Sequence, residues 1–143
     1  MSNIYLVGMM GSGKTVTGRH LAVLLNYGFV DLDENIQDKL HRTISDIFEK
    51  EGEPFFRKEE AGVLKEVSGI GRRVIATGGG TVLLPENVTR MKSTGKVVYL
   101  ETSLELLWQR VRGKKDRPLL KQSDPRQSLE MIFAARRPLY EQA

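Results

Sequence analysis

Short, nearly unbroken apolar runs recur at Ile4–Val7, Phe29–Leu32, Val74–Ala76 and Val97–Leu100, and they are rich in β-branched or aromatic residues. Runs of this length and composition predict strands buried on both faces of a parallel sheet. Between them the apolar positions recur at helical spacing, which predicts helices over residues 14–26, 34–50, 54–68, 86–93, 103–112 and 125–141. Pro54, Pro85 and Pro125 lie near three of these helix starts, where a missing backbone N–H has no intrahelical partner to lose. Strands alternating with helices define an α/β fold, helices covering a central parallel sheet. No internal repeat, heptad run or low-complexity segment interrupts it.

The pattern breaks in two places. The segment between the second and third strands, residues 33–69, is longer than one crossover helix needs, and function is the usual reason for such an excursion. It is the expected place for an acceptor. Residues 113–125 form a charged stretch between two helices, either an ordinary solvated loop or a flap that closes over a ligand.

Composition narrows the classes. A chain of 143 residues suits one domain. With no cysteine there is no disulfide framework, thiolate nucleophile or Cys-ligated metal. Together with the absence of a basic-then-apolar leader or a bilayer-length apolar stretch, this leads us to expect a cytoplasmic protein without a membrane partner. The net charge of +4 is local: Arg110, Arg112, Lys114, Lys115 and Arg117 stand against Asp116, and the rest of the chain balances. No aromatic residues interleave with these charges and no recognition module accompanies them, so no nucleic-acid partner is expected. A highly anionic small ligand accounts for the same cluster.

That ligand has a candidate cradle. Gly8-Met9-Met10-Gly11-Ser12-Gly13-Lys14-Thr15 is a complete G-x-x-x-x-G-K-[ST] loop lying between the first predicted strand and the first helix. Gly8, Gly11 and Gly13 permit positive φ, so that backbone N–H groups converge on a polyphosphate above the positive end of the helix. Lys14 is placed to neutralise the β- and γ-phosphates, and the Thr15 hydroxyl to bind Mg²⁺.

Four further features carry candidate chemistry. Asp31 and Asp33 alternate at the end of the second strand, where the ligands of open α/β folds bind. One suits Mg²⁺ and the other the proton of an attacking hydroxyl, unless Asp33 merely caps the next helix. Gly78-Gly79-Gly80 closes the third strand, either as a bare backbone platform for a ligand or as a flexible connection. Arg57, seven residues before Leu64, and Arg136, seven after Leu129, fall on apolar helix faces and need partners. Glu60 supplies one for Arg57 as a structural ion pair, while both guanidinium groups suit the carboxylate of a small acid; Arg136 otherwise snorkels to solvent. Arg110 and Arg117, in or beside the flap, are candidates for clamping phosphate. His20 and His41 have no metal-ligand spacing and no assigned role.

Taken together, Gly8–Thr15, Asp31-Leu32-Asp33, Phe56-Arg57-Lys58-Glu59-Glu60, Gly78-Gly79-Gly80, Arg117-Pro118-Leu119-Leu120 and Arg136-Arg137-Pro138-Leu139-Tyr140 resemble, in order, the motifs of the shikimate kinases, P-loop kinases of the nucleoside-monophosphate-kinase type. The resemblance spans nearly the whole chain and implies a three-layer α/β/α P-loop domain. Its core would comprise 1–32 and 70–112, with a substrate-binding insertion over 33–69, a lid over 113–125 and a C-terminal helix over 125–141. It implies ATP-dependent phosphorylation of the 3-hydroxyl of shikimate by a monomer with Mg²⁺. Asp33 would be the base, with Lys14 and Arg117 stabilising the transferring group. Gly11, Ser12, Gly13, Lys14, Thr15 and Val16 would wrap the phosphates, with Arg110 nearby. Thr15 and Asp31 would hold the metal, Arg57, Arg136, Gly79 and Gly80 the acceptor, and Phe48 and Phe56 would wall its ring. Ala143 falls before the family's last strand, adenine loop and final helix, so an unpaired sheet edge and weaker ATP affinity are expected. The alternatives are a related kinase acting on gluconate and a nucleotide-binding module without turnover.

Overall fold

The computed structural model describes residues 2–112 and 124–143. Strands β1 (Asn3–Val7), β2 (Gly28–Asp31), β3 (Arg73–Ala76) and β4 (Gly95–Tyr99) form one parallel sheet in the order β2-β3-β1-β4. Helix α1 (Lys14–Leu25) follows β1. Helices α2 (Leu32–Leu40), α3 (Ile44–Glu51) and α4 (Glu53–Ser68) occupy the excursion between β2 and β3, and α5 (Pro85–Thr94), α6 (Leu104–Val111) and α7 (Pro125–Gln142) complete the described chain.

The strand pleat divides the core in two. Leu6 and Val74 point with Ala22 and Phe29 toward α1, while Tyr5, Val7 and Ile75 face a larger cluster with Phe56, Leu64, Met91, Leu129 and Tyr140. Helix α1 lies so close to the sheet that a Cβ at Gly18 would stand 2.6 Å from the Phe29 ring. Register then sets the functional edge. Leu6 pairs with Ala76, Val7 with Tyr99 and Asp31 with Ala76, so the strands end level, and the loops after β1, β2 and β3 emerge side by side.

Two expectations need correction. The helix expected over 34–50 is two helices, because His41 adopts the left-handed conformation at φ 54° and closes α2, and Thr43 caps α3 by accepting from Asp46 N at 3.1 Å. The Gln37 side chain then takes up the Ile44 N–H at 2.9 Å. The second concerns strand ends: β2 stops at Asp31 and Leu32 already begins α2, whereas β4 starts at Gly95 and ends at Tyr99. Among the described residues no helix is long and apolar enough to cross a membrane.

Candidate active site

Gly8, Gly11 and Gly13 take φ values of 152°, 81° and 93°, the positive angles the loop was expected to need. Gly13 is the N-cap of α1 and no side chain caps the helix, so its first N–H groups open toward the loop. Lys14 folds back, donating from Nζ to Gly8 O at 2.6 Å and Met9 O at 3.0 Å. Ser12 Oγ is buried without a hydrogen-bond partner among the described residues. Arg110 lies across the loop and donates to Gly11 O at 2.9 Å. The loop walls a cavity of about 650 Å³ that extends over Val16, Asp31, Asp33, Gly78 and Gly79. Open amides, a lysine and an arginine make it an anion site.

At the end of β2, Asp31 rather than Asp33 is the helix cap, and its Oδ1 accepts from Glu34 N at 3.1 Å. Its other oxygen accepts from Thr15 Oγ1 at 2.7 Å. Asp33 therefore projects from the first turn of α2, not from the strand as its alternation with Asp31 suggested. It reaches the cavity all the same. Burial, followed by the charges of Glu60 and Asp31, raises its pKa from 3.8 to about 6, against the opposing pull of Lys14 and Arg57.

Arg57 and Glu60 sit on one face of α4. Arg57 Nη1 donates to Glu60 Oε1 at 3.1 Å, and its Nε and Nη2 reach Glu53 Oε2 at 3.1 Å. The guanidinium also lies over the Phe56 and Phe48 rings, at 5.2 and 5.9 Å from their centroids. Glu60 is fully buried, and its second oxygen accepts from Thr81 Oγ1 at 2.9 Å. Burial pushes the Glu60 carboxyl up, partly countered by Arg57 and the Thr81 hydroxyl.

The three glycines after β3 are explained by space. Among the described residues the positive-φ glycines are Gly8, Gly11, Gly13, Gly52 and Gly71, and none of the three is among them. A Cβ at Gly78 would lie 3.0 Å from both Asp33 Oδ1 and Glu60 Oε2, one at Gly79 would lie 3.3 Å from Arg136 Nη1, and one at Gly80 would collide with the Arg57 guanidinium. Four charged side chains thus close on one bare stretch of backbone. Arg136, 6% exposed, comes from α7 and forms no ion pair among the described residues. Four residues later Tyr140 donates its hydroxyl to Gly79 O and stacks on Tyr99 with centroids 5.2 Å apart. Burial pushes its phenol up to about 12, so it remains a donor.

The expected residues Gly11–Val16, Arg110, Asp31, Asp33 and Gly79 meet around the cavity, and Arg57, Gly80 and Arg136 lie behind Gly78 and Gly79. Gly80 makes room for Arg57 rather than lining the cavity. Arg117 and residues 113–123 of the expected lid lie outside the described residues. Sequence reasoning assigned no role to Thr81 or Tyr140. Tyr140 closes the motif Arg136–Tyr140, and helical spacing put it on the same face as Arg136.

A parallel sheet with a phosphate loop after β1, a Thr–Asp pair beside it and a buried carboxylate over the same cavity defines a P-loop kinase. A family model described as shikimate kinase matches residues 10–143. The chain belongs to the shikimate kinase family. It is 47% identical over 138 residues to the shikimate kinase of Cupriavidus pinatubonensis, covering 96% of this chain and 72% of that one. With the shikimate kinase of Acinetobacter baylyi it shares 49% over 140 residues, 98% of this chain and 78% of the relative. The structure of the Acinetobacter baumannii shikimate kinase in complex with shikimate superimposes with a TM-score of 0.96 at 48% identity, over 99% of this chain and 79% of that one. A gluconokinase from Sinorhizobium meliloti, at 19% identity and a TM-score of 0.58, shares the fold alone.

Proposed function

We propose that this enzyme transfers the γ-phosphoryl group of ATP to the 3-hydroxyl of shikimate, giving shikimate 3-phosphate on the route to chorismate and the aromatic amino acids. The observation that carries the reading is the convergence at Gly78–Gly80, where a carboxylate with a pKa raised to about 6 lines the phosphate cavity and two arginines, Arg136 buried and Arg57 partly buried, flank the same glycines. The polyphosphate lies along Gly11–Val16, with Lys14 leaving the loop carbonyls for the transferring group. Arg136 and Arg57 grip the carboxylate of the acceptor, Arg136 as a cation that forms no ion pair among the described residues. Phe48 and Phe56, tilted against each other at 4.8 Å, back Arg57 and wall the ring. That grip turns the hydroxyl toward Asp33, which accepts its proton as the oxygen attacks phosphorus.

The residues present fit Mg²⁺. Thr15 and Asp31 already pair two hard oxygens at the cavity wall, a donor set suited to an ion that takes its other ligands from water and phosphate. When bound, it would neutralise charge on the β- and γ-oxygens. We assign residues 33–69 to the acceptor and 1–32 with 70–112 to the nucleotide, Arg110 and Arg117 to phosphate, and Gly80 to seating Arg57. We propose a monomer in the cytoplasm.

The test is ADP release with Mg-ATP and shikimate, gluconate or no acceptor. Shikimate-dependent release is expected. Release with gluconate alone, or none with any acceptor while ADP still binds, would replace this reading by one of the two alternatives.

A further inference from the structure

We infer that Tyr140 is a positioning residue for acceptor binding, because its hydroxyl holds the carbonyl of the peptide between Gly79 and Gly80 and so leaves the Gly80 N–H, beside Arg57, on the opposite side of the peptide.

Several observations converge on that peptide. It lies between two glycines, so neither end has a Cβ to resist rotation of the peptide plane. Its carbonyl accepts from Tyr140, while the N–H groups of Gly79 and Gly80 have no acceptor among the described residues. On its flanks stand Arg136, 3.3 Å from where a Gly79 Cβ would be, and Arg57, against Gly80. A peptide free to flip would at times turn its carbonyl dipole, rather than its N–H, toward the place an acceptor carboxylate must occupy. Two arginines attract that anion, and an inward carbonyl would repel it.

Tyr140 is built to prevent this. It is 1% exposed, stacked on Tyr99, its oxygen lies 3.7 Å from Met9 Sδ, and Arg136 is within hydrogen-bonding reach of the same hydroxyl, so the group is held from several sides at once. It shares a face of α7 with Arg136, so one helix delivers both the cation and the lock. The proposal rests on the acceptor reading above and adds a backbone determinant to it.

Tyr140→Phe removes one oxygen and leaves the ring packing in place. The expected result is a KM for shikimate raised about five- to tenfold. The Kd for shikimate, measured calorimetrically without nucleotide, should rise equally, while KM for ATP stays within about twofold. The ¹⁵N–¹H resonance of Gly80 should move in the acceptor-free protein. A lowered melting temperature with unchanged shikimate Kd and an unmoved Gly80 resonance would reduce Tyr140 to a packing residue and overturn the proposal; so would equal rises in both KM values. If Tyr140→Phe does not fold, Tyr99→Leu, which loosens the ring but keeps the hydroxyl, should give a smaller rise confined to shikimate, and a rise in neither constant would overturn the lock. Failure of the parent enzyme to bind shikimate would instead sink the acceptor reading, and the Gly80 resonance would still decide whether Tyr140 orients the peptide.

Discussion

Asp33 shows what one residue gives up to be useful. Its carboxyl keeps its proton to about pH 6 in the folded protein against 3.8 for an unperturbed carboxyl, chiefly because it is buried and then because Glu60 and Asp31 are near. A group whose folded pKa is raised contributes stability that is complete below the unfolded value and is lost as pH rises through the folded one. At pH 7 the ionised, buried carboxylate therefore works against folding. Asp33→Asn should abolish turnover while the protein still binds Mg-ATP. In metal-free, ligand-free buffer at pH 7 it should also melt a few degrees above the parent, an advantage that shrinks toward pH 4. An Asn variant no more stable than the parent across that range would show that Asp33 is not held against its own ionisation. Parent activity should fall as the medium is acidified through the pKa of the base.

At the scale of elements, the turn after β3 is specified by what surrounds it. Gly80→Ala would place a methyl against the far end of the Arg57 side chain, which swings away instead of breaking the fold. Melting should change little, whereas KM for shikimate should rise on the order of tenfold; an unchanged KM would mean that the seat of Arg57 does not matter to the acceptor. Sequence pattern carried the sheet, its parallel sense and the phosphate loop, because buried strands and Gly-rich loops leave local signals in apolar runs and in glycine spacing. The break in the second helix was harder to see. Leu40, Ile44 and Ile47 keep helical spacing across it, and the one sign against continuity, Thr43 three residues before Asp46, is a short capping signal inside a longer periodic one. Asp31 and Asp33 both line the cavity, though alternation was only half the reason to expect it, since alternation holds only while the strand lasts. Tyr140 was legible only as part of a motif, for no periodicity reveals that a hydroxyl meets a carbonyl 61 residues away.

On the scale of the molecule, the site joins the ends of β1, β2 and β3 to α4, α6 and α7, so it exists only when distant segments are assembled together. Acceptor binding should therefore stabilise the whole fold. At shikimate near one hundred times its Kd the gain is about 2.7 kcal/mol, read as a rise of several degrees in melting temperature, with no rise from gluconate at equal concentration. The reverse order would point to a different acid as the natural acceptor. The same assembly holds one more participant. Glu53, on the first turn of α4 and about half exposed, occupies the two nitrogens of Arg57 that Glu60 leaves free. A tethered carboxylate four residues away is present at high effective concentration, so any acid arriving at Arg57 meets an incumbent rival rather than an empty seat. Affinity at this position is a contest between two anions, and an acid that binds there keeps only what its contact with the arginine gives beyond the cost of dislodging Glu53.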